Sequence, residues 1–183
     1  MNKEKEKKIV KIAEMEIKKF VKEWKKNPYL WDTEADIHGE LYMRIKKSLK
    51  GIDKKKIKGM YGKYMCNEAR FDRVYCKPLT YVKGGWNYYP DIVIYEDYTL
   101  DNDDKRINEP MLWVCEIKYK TQWGGDQNEG DSKYDKEKLK RLLQQRTNPI
   151  HGTKYAYFLE LKRTNKKAIP NCNRRITIKK RRK

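Results

Sequence analysis

The sequence predicts an α/β domain, close to the border with α+β, in which helices flank a mixed central β-sheet. Three stretches repeat apolar residues every three or four positions, as amphipathic helices do. Between and after them lie short runs rich in aromatic and β-branched residues, bounded by Pro and Gly, which are typical of strands. The 183 residues contain no internal repeat and no linker, so we expect a single domain over residues 1–183 with one core.

The first part of the chain is predicted to be helical. One helix, over residues 4–26, lies in an N-terminal segment, 1–28, that precedes the core, and Pro28 stops it. Its apolar stripe consists of Ile9, Ala13, Ile17, Phe20, Val21 and Trp24. The other face of this helix carries many lysines, which a merely solvated surface would also explain. A second helix is predicted from Thr33, a suitable N-cap, to Gly51, with an apolar residue at every fourth position.

A change of period near Arg70 indicates the start of the strands. Residues 70–85 predict strands or a hairpin, and residues 91–95 form a short apolar strand. A stronger strand is predicted over residues 111–118. Its nearly continuous apolar run suits a central strand that is buried on both faces.

The C-terminal part predicts a helix, two strands and a basic tail. Residues 132–146 have the spacing of a basic helix with a buried leucine stripe, and residues 155–161 form a core strand. An edge strand is predicted over residues 175–178, within a tail, 174–183, that is rich in Lys and Arg.

The charge balance predicts a polyanionic partner. Lys and Arg number 45 against 26 Asp and Glu, which gives a formal net charge of +19. Such an excess attracts nucleic acids and speeds encounter with them, so DNA is the expected partner. An acidic membrane surface is the rival partner for this charge.

Several observations favour an intracellular protein that does not span a membrane. No apolar run approaches the roughly 20 residues that a membrane span needs. The charged N-terminus is not followed by the apolar stretch of a signal peptide. The four cysteines form no CxxC pair and no metal-finger spacing, so reduced thiols are expected, with Cys115 in the core. A Cys66–Cys76 disulfide is the alternative.

Two carboxylates break the apolar pattern inside predicted core strands. Asp91 follows Pro90 at the start of one strand, and Glu116 lies near the end of the next. Lys118 is two residues beyond Glu116, so both side chains project from the same face. Two carboxylates at neighbouring strand ends offer the hard oxygen ligands that magnesium or manganese prefers. The alternative is a Glu116–Lys118 pair on the solvated face of an edge strand.

The pattern Pro90-Asp91 followed by Glu116-Ile117-Lys118 resembles the core motif of the PD-(D/E)XK nuclease superfamily, which has the restriction-endonuclease-like fold. In that family, the aspartate follows a proline at one strand and the acidic-x-Lys triplet lies on the next. The resemblance therefore implies a restriction-endonuclease-like core with an added N-terminal helix.

The predicted helices and strands around the motif extend this resemblance over residues 33–161. Their order along the chain is similar to the α-β-β-β-α-β core of the family. A further family feature is a glutamate on the preceding helix. Glu40 is the preferred candidate because it lies beside the apolar stripe, and Glu34, more than one turn earlier, is the alternative.

The resemblance also implies an activity: Mg²⁺-dependent endonucleolytic hydrolysis of DNA, with Mn²⁺ as a substitute cation. Asp91, Glu116, Glu40 and the backbone carbonyl of Ile117 would be the metal ligands. Lys118 would position or activate the attacking water and stabilise the charge on the phosphate. A bound cation of this kind can lower the pKa of a water and polarise a phosphoryl oxygen.

Basic residues of the third helix and the tail are the predicted DNA contacts: Lys133, Lys136, Lys138, Lys140, Arg141, Arg174, Arg175, Lys179, Lys180, Arg181, Arg182 and Lys183. Several of those on the helix are expected to be merely solvated. Trp86, Tyr88 and Tyr89 could stack on bases or pack against the rim of the sheet. His38 could approach the site from the helix of Glu40, although a surface or capping role is the stronger interpretation.

Small size and an extended basic surface suit a structure-selective enzyme similar to a Holliday-junction resolvase, which is usually a homodimer. A restriction-type endonuclease and a non-catalytic nucleic-acid-binding module of the same fold are the alternatives. The complete motif argues against the binding module, since a protein that only binds can lose one of these residues. An RNA substrate also stays open.

Overall fold

In the computed structural model the described residues are 2–50, 52, 74–76, 80–82, 86–96, 111–121, 129–145, 152–164 and 168–177. Within these ranges the chain forms three α-helices, one short 3₁₀ helix and seven strands. The helices are α1 (Lys3–Lys26), the 3₁₀ helix (Pro28–Leu30), α2 (Glu34–Leu49) and α3 (Glu129–Gln144). The strands are β1 (Val74–Cys76), β2 (Thr80–Val82), β3 (Trp86–Tyr88), β4 (Ile92–Tyr95), β5 (Met111–Thr121), β6 (Thr153–Arg163) and β7 (Ala168–Ile176).

The main sheet has five strands in the order β1-β4-β5-β6-β7, so β5 is its central strand. β5 and β6 run parallel, and the other neighbouring pairs are antiparallel. The parallel pair requires a crossover connection, and α3 provides it. β2 and β3 form a separate antiparallel hairpin. The prediction of a mixed sheet flanked by helices is therefore confirmed.

Helices cover both faces of the sheet because the strands bury side chains in both directions. α1 and α2 pack on one face, where Cys115 and Ile117 of β5 lie in the same cluster as Trp24 of α1. α3 packs on the other face, where Val114 of β5 meets Leu142 of α3. The N-terminal helix therefore shares the core of the sheet.

The start of α2 is fixed by a local sequence signal. The Thr33 hydroxyl accepts the backbone N–H of Asp36 at 3.1 Å, and the Asp36 carboxylate accepts the backbone N–H of Thr33 at 2.9 Å. This reciprocal capping box satisfies backbone donors that a helix N-terminus leaves unpaired. The predicted N-cap at Thr33 is confirmed, and it places Glu34 in the first turn of α2.

Three predictions about the strands need correction or refinement. Asp91 lies in a bend directly before β4, because β4 begins at Ile92. The edge-strand interpretation of Glu116 is wrong, since β5 is the central strand and Glu116 is only 6% exposed. The edge strand β7 begins at Ala168, earlier than predicted, because it pairs along much of β6.

Some predictions concern parts of the chain outside the described residues. These are Cys66 and, in the tail, Lys179, Lys180, Arg181, Arg182 and Lys183. Cys115 is confirmed as a buried free thiol, and burial, reinforced by Asp91 and Glu116, raises its pKa well above the ordinary value. Among the described helices, none combines the length and apolar character that crossing a membrane would require.

Candidate metal and nucleic-acid site

Asp91 and Glu116 are brought together by the pairing of β4 with β5. Ile92 lies opposite Cys115 in this antiparallel register, so one further step along both chains places Asp91 opposite Glu116. Both carboxylates are buried, with exposures of 5% and 6%. Directly opposite positions of a strand pair have Cβ atoms roughly 5 Å apart, so a register that continues one residue into the bend makes Asp91 and Glu116 neighbours.

Asp91 is held by contacts to both β5 and α2. Its Oδ2 accepts the backbone N–H of Ile117 at 2.7 Å. This N–H lies beyond the first residue of β4, Ile92, so β4 supplies no strand partner for it. Its backbone carbonyl accepts a hydrogen bond from Nε2 of His38, which is buried on α2. In a strand the N–H and C=O of one residue point to the same neighbour, so the Ile117 carbonyl faces the side on which Asp91 lies.

A second carboxylate binds the same edge of β5. Glu34, in the first turn of α2, accepts the backbone N–H of Tyr119 at 3.1 Å. Glu34 and His38 are one helical turn apart and therefore project from the same face of α2. This face contacts Asp91 and the second half of β5, so Glu34 is the carboxylate of α2 that lies toward Asp91.

Glu40, the preferred candidate from the sequence, is directed elsewhere. Its Oε1 lies 2.5 Å from Nε of Arg44, and the same guanidinium reaches Glu23 of α1 at 2.6 Å. Two residues of an α-helix correspond to a rotation of about 200°, so Glu40 points away from the side on which His38 meets Asp91. The geometry favours Glu34, the alternative candidate, over Glu40, whose side chain is 39% exposed in its ion pair with Arg44.

Lys118 lies on the α3 side of β5 and forms an ion pair there. Its Nζ is 3.1 Å from Oδ2 of Asp135, a buried residue of α3 that also binds Lys138 at 3.0 Å. Burial lowers the pKa of Lys118, but the nearby charges of Asp135, Glu34 and Glu116 outweigh it, and the net shift is upward. Lys118 is therefore a fixed cation at neutral pH, suited to stabilising negative charge.

A second ion-pair group, which sequence reasoning missed, lies on the same face of the sheet. Glu160 of β6 is 6% exposed and accepts the Ser132 hydroxyl of α3 at 2.5 Å. Lys120 and Lys136 reach its carboxylate at 2.9 and 3.8 Å. Burial raises the pKa of Glu160, yet these partners outweigh burial and lower it overall. The available signal was a lone carboxylate within the apolar run of β6.

The predicted DNA contacts do not form one surface. Lys136 and Lys138 are half-buried against the sheet side of α3, whereas Lys133 and Arg141 are exposed. Lys140 pairs with Glu137 on the same helix.

The two arginines of β7 face opposite sides of the sheet. Arg174 is exposed and lies opposite Phe158, on the α3 side. Arg175 binds Glu14 of α1 at 2.7 Å, so its charge is directed toward α1. Among the aromatic candidates, Tyr89 is 53% exposed, and the side chains of Trp86 and Tyr88 lie outside the described part of the chain.

The donor set fits a hard divalent cation that keeps some of its water. Asp91 and Glu116 supply two carboxylates, and Ile117 supplies a backbone carbonyl on the same side. Within the described ranges, no group of three or more acidic, His or Cys residues is arranged to hold a metal. Mg²⁺ is commonly held by one or two carboxylates together with waters and substrate phosphate, so two carboxylates are sufficient for it.

Comparison with known proteins assigns no family: no family model, no curated protein and no solved structure matches the chain. The fold is established at the level of a mixed α/β domain with a mixed sheet. No family therefore indicates the function of this protein, and the chemistry of the residues around Asp91 and Glu116 is the remaining indication.

Proposed function

We propose that this protein is a Mg²⁺-dependent endonuclease that hydrolyses phosphodiester bonds of DNA, with a restriction-endonuclease-like core of the PD-(D/E)XK kind. One observation carries the proposal: two buried carboxylates, Asp91 directly before β4 and Glu116 on β5, are brought together by the β4–β5 pairing and the Ile117–Asp91 hydrogen bond, with the cation Lys118 two residues beyond Glu116. A cation held between two buried carboxylates would offset their mutual repulsion. The net charge of +19 supplies the attraction for a polyanionic substrate.

The roles follow from the positions of the side chains. Asp91, Glu116 and the Ile117 carbonyl would hold the cation, and Glu34 would add negative charge at the same edge of β5. When bound there, Mg²⁺ polarises a phosphoryl oxygen and makes an attacking water more acidic. Lys118, held by its ion pair with Asp135, would stabilise the negative charge on the phosphate and help to position the attacking water.

Asp135 and His38 act through other residues. Asp135 positions the ammonium group of Lys118 from α3, and His38 positions the backbone of Asp91 from α2. Because both contacts join different elements, they fix the relative placement of the two sides of the site. Precise placement of this kind contributes strongly to catalysis, since small displacements of reacting groups are costly.

The substrate form and assembly belong to the proposal as well. Exposed cations on α3 and β7, with the basic residues of the tail, would contact the DNA backbone. A chain of this size suits a structure-selective, junction resolvase-like enzyme that acts as a homodimer inside the cell. Mn²⁺ would replace Mg²⁺, since both prefer oxygen ligands.

A second candidate function, a non-catalytic nucleic-acid-binding module, is favoured by one observation. Lys118 is paired with Asp135, so part of its charge is already neutralised. In a binding module this ion pair would be purely structural. The two candidates differ in what loss of Lys118 does to cleavage and to binding.

The test compares the wild type with Lys118→Met and the matched control Lys154→Met. Lys154 is also a strand lysine in ion pairs, with Glu6 at 2.7 Å and Glu96 at 2.9 Å, and it lies away from Asp91 and Glu116. We expect the wild type to cut duplex, single-stranded or branched DNA with Mg²⁺ or Mn²⁺, and EDTA to stop it. Lys118→Met should lower the rate by roughly 100-fold or more while DNA binding persists, and Lys154→Met should cut normally. Tight binding by the wild type without cleavage of any DNA or RNA substrate would instead establish the binding module.

A further inference from the structure

The outer face of α1 is a row of lysines that the proposed function does not use. We name as the lysine ridge six of the nine exposed lysines of α1, those that share one side of the helix: Lys3, Lys7, Lys11, Lys18, Lys22 and Lys25. With 3.6 residues per turn, these six side chains fall within an arc of about 100° around the helix. A rise of 1.5 Å per residue makes the row roughly 33 Å long. The ridge is therefore a straight, positively charged stripe along one side of the molecule.

The glutamates of α1 do not neutralise this stripe. Four of its five glutamates are held in ion pairs: Glu6–Lys154, Glu14–Arg175, Glu16–Lys19 and Glu23–Arg44, at 2.7, 2.7, 2.8 and 2.6 Å. Three of these pairs lead to other elements of the fold. The fifth, Glu4, is in the first turn, where the helix dipole favours an acidic residue. The negative charge of α1 is thus largely committed to contacts within the protein.

The ridge lysines themselves have no carboxylate partner among the described residues. Several are four positions apart, as are Lys7 and Lys11 or Lys18 and Lys22, and like charges at this spacing destabilise a helix. A helix face whose only role was to keep the protein soluble would be more stable if positively and negatively charged residues alternated along it. Folding therefore does not account for the ridge, whereas a polyanion lying along it would relieve the repulsion.

We propose that the lysine ridge binds the sugar-phosphate backbone of duplex DNA, as a second contact surface in the layer opposite α3. A row roughly 33 Å long matches about one helical turn of duplex DNA, so the phosphates on the near side of that turn would face it. The aromatic residues of α1, Phe20 and Trp24, are fully buried, so the ridge offers no stacking surface for single-stranded bases. Met15, 41% exposed, is the one large apolar side chain exposed on α1, too little to insert into a lipid surface.

The experiment measures binding of a labelled 20-base-pair duplex by fluorescence anisotropy, in EDTA, over a range of salt concentrations. The ridge variant is Lys11→Gln/Lys18→Gln/Lys22→Gln. The control variant is Lys47→Gln/Lys50→Gln/Lys162→Gln, whose lysines are equally exposed but lie on α2, just after it and on β6. Both variants lose three charges, so the overall field of the protein changes equally. Gln has a helix propensity close to that of Lys, so α1 should stay folded, and thermal unfolding verifies this.

We expect the ridge variant to bind roughly 10- to 100-fold more weakly at 0.1 M salt, with the slope of log K against log salt reduced by about 3. The control variant should stay within about threefold of the wild type. Equal losses in the two variants would overturn the proposal, because net charge alone would then explain binding. Loss of binding to phosphatidylserine vesicles with unchanged DNA binding would also overturn it. This measurement follows binding only, in EDTA, and leaves Asp91, Glu116 and Lys118 unchanged. Its outcome is therefore separate from that of the nuclease proposal.

Discussion

At the scale of single residues, the carboxylate of Asp91 is oriented by the strand beside it. The backbone N–H of Ile117 donates to one of its oxygens, and a carboxylate has about four acceptor positions, so this bond fixes Asp91 without exhausting it. The same logic applies to Glu34, which accepts the N–H of Tyr119. Both acids accept N–H groups of β5 that lie beyond the first residue of β4, and these contacts place them at the same edge of β5.

The first prediction distinguishes Glu34 from Glu40 as the carboxylate that α2 contributes. Glu34→Gln removes the charge but keeps an amide oxygen that can still accept the Tyr119 N–H, so the fold should persist. Under the proposed function, this variant should cut DNA roughly tenfold or more slowly at limiting Mg²⁺, in line with losses at residues that support a metal site. Glu40→Gln, at the ion pair with Arg44, is the matched control and should cut at nearly the wild-type rate. A larger loss in Glu40→Gln than in Glu34→Gln would reverse this assignment.

At the scale of elements, α3 is attached to the sheet by ion pairs as well as by apolar contacts. Leu139 and Leu142 pack on the strands, while Asp135 and Ser132 reach Lys118 of β5 and Glu160 of β6. These polar contacts have a defined geometry, whereas apolar packing alone tolerates small shifts. Asp135 therefore sets the position of Lys118, whereas the Ser132–Glu160 contact attaches α3 to β6.

The second prediction concerns the pH dependence of this attachment. The pKa of Glu160 is lowered in the folded protein, so its contribution to stability is present above the unfolded value near 4.5 and is lost as pH falls through the folded value. At pH 7, Glu160→Gln should lower the free energy of unfolding by roughly 1.5–3 kcal/mol, as expected for hydrogen bonds to a charged group.

The difference between Glu160→Gln and the wild type should shrink once the pH lies below the pKa of Glu160 in the folded protein, because protonation then removes the charge from the wild-type side chain as well. Urea unfolding at pH 7 and at the lowest pH at which the protein stays folded measures both values. Glu137→Gln, at the exposed pair with Lys140, is the control and should change stability little at either pH. An equal difference at both pH values would mean that the charge of Glu160 does not stabilise α3.

At this scale, the sequence could predict the helices and strands that are specified by local signals. The apolar spacing of α1, the capping residue Thr33 and the continuous apolar run of β5 each lie within a few residues of the element they specify. The choice between Glu34 and Glu40 depends instead on the rotation of α2 against β5, which no local pattern fixes. The partner of Lys118, Asp135, depends likewise on how α3 docks after a crossover.

At the scale of the whole molecule, several carboxylates are buried whereas many of the lysines lie at the surface. Carboxylates such as Glu6, Glu16 and Glu160 are buried and engaged with cations, so much of the positive excess is left at the surface. Two layers of helices then expose lysines on opposite sides of one sheet, α1 on one side and α3 on the other. Under the proposed function, the carboxylates Asp91 and Glu116 lie between two basic surfaces.

The most direct test of the central claim is the rate of DNA cleavage across a Mn²⁺ titration for the wild type, Glu116→Gln and Glu160→Gln. Both glutamates are 6% exposed and lie on the same side of neighbouring strands, and Glu160 binds lysines and a serine. We expect metal-dependent cutting by the wild type and by Glu160→Gln, with a loss of roughly 100-fold or more in Glu116→Gln at every Mn²⁺ concentration. Cutting by Glu116→Gln at the wild-type rate, or cutting by the wild type without any metal, would rule out the proposed metal site.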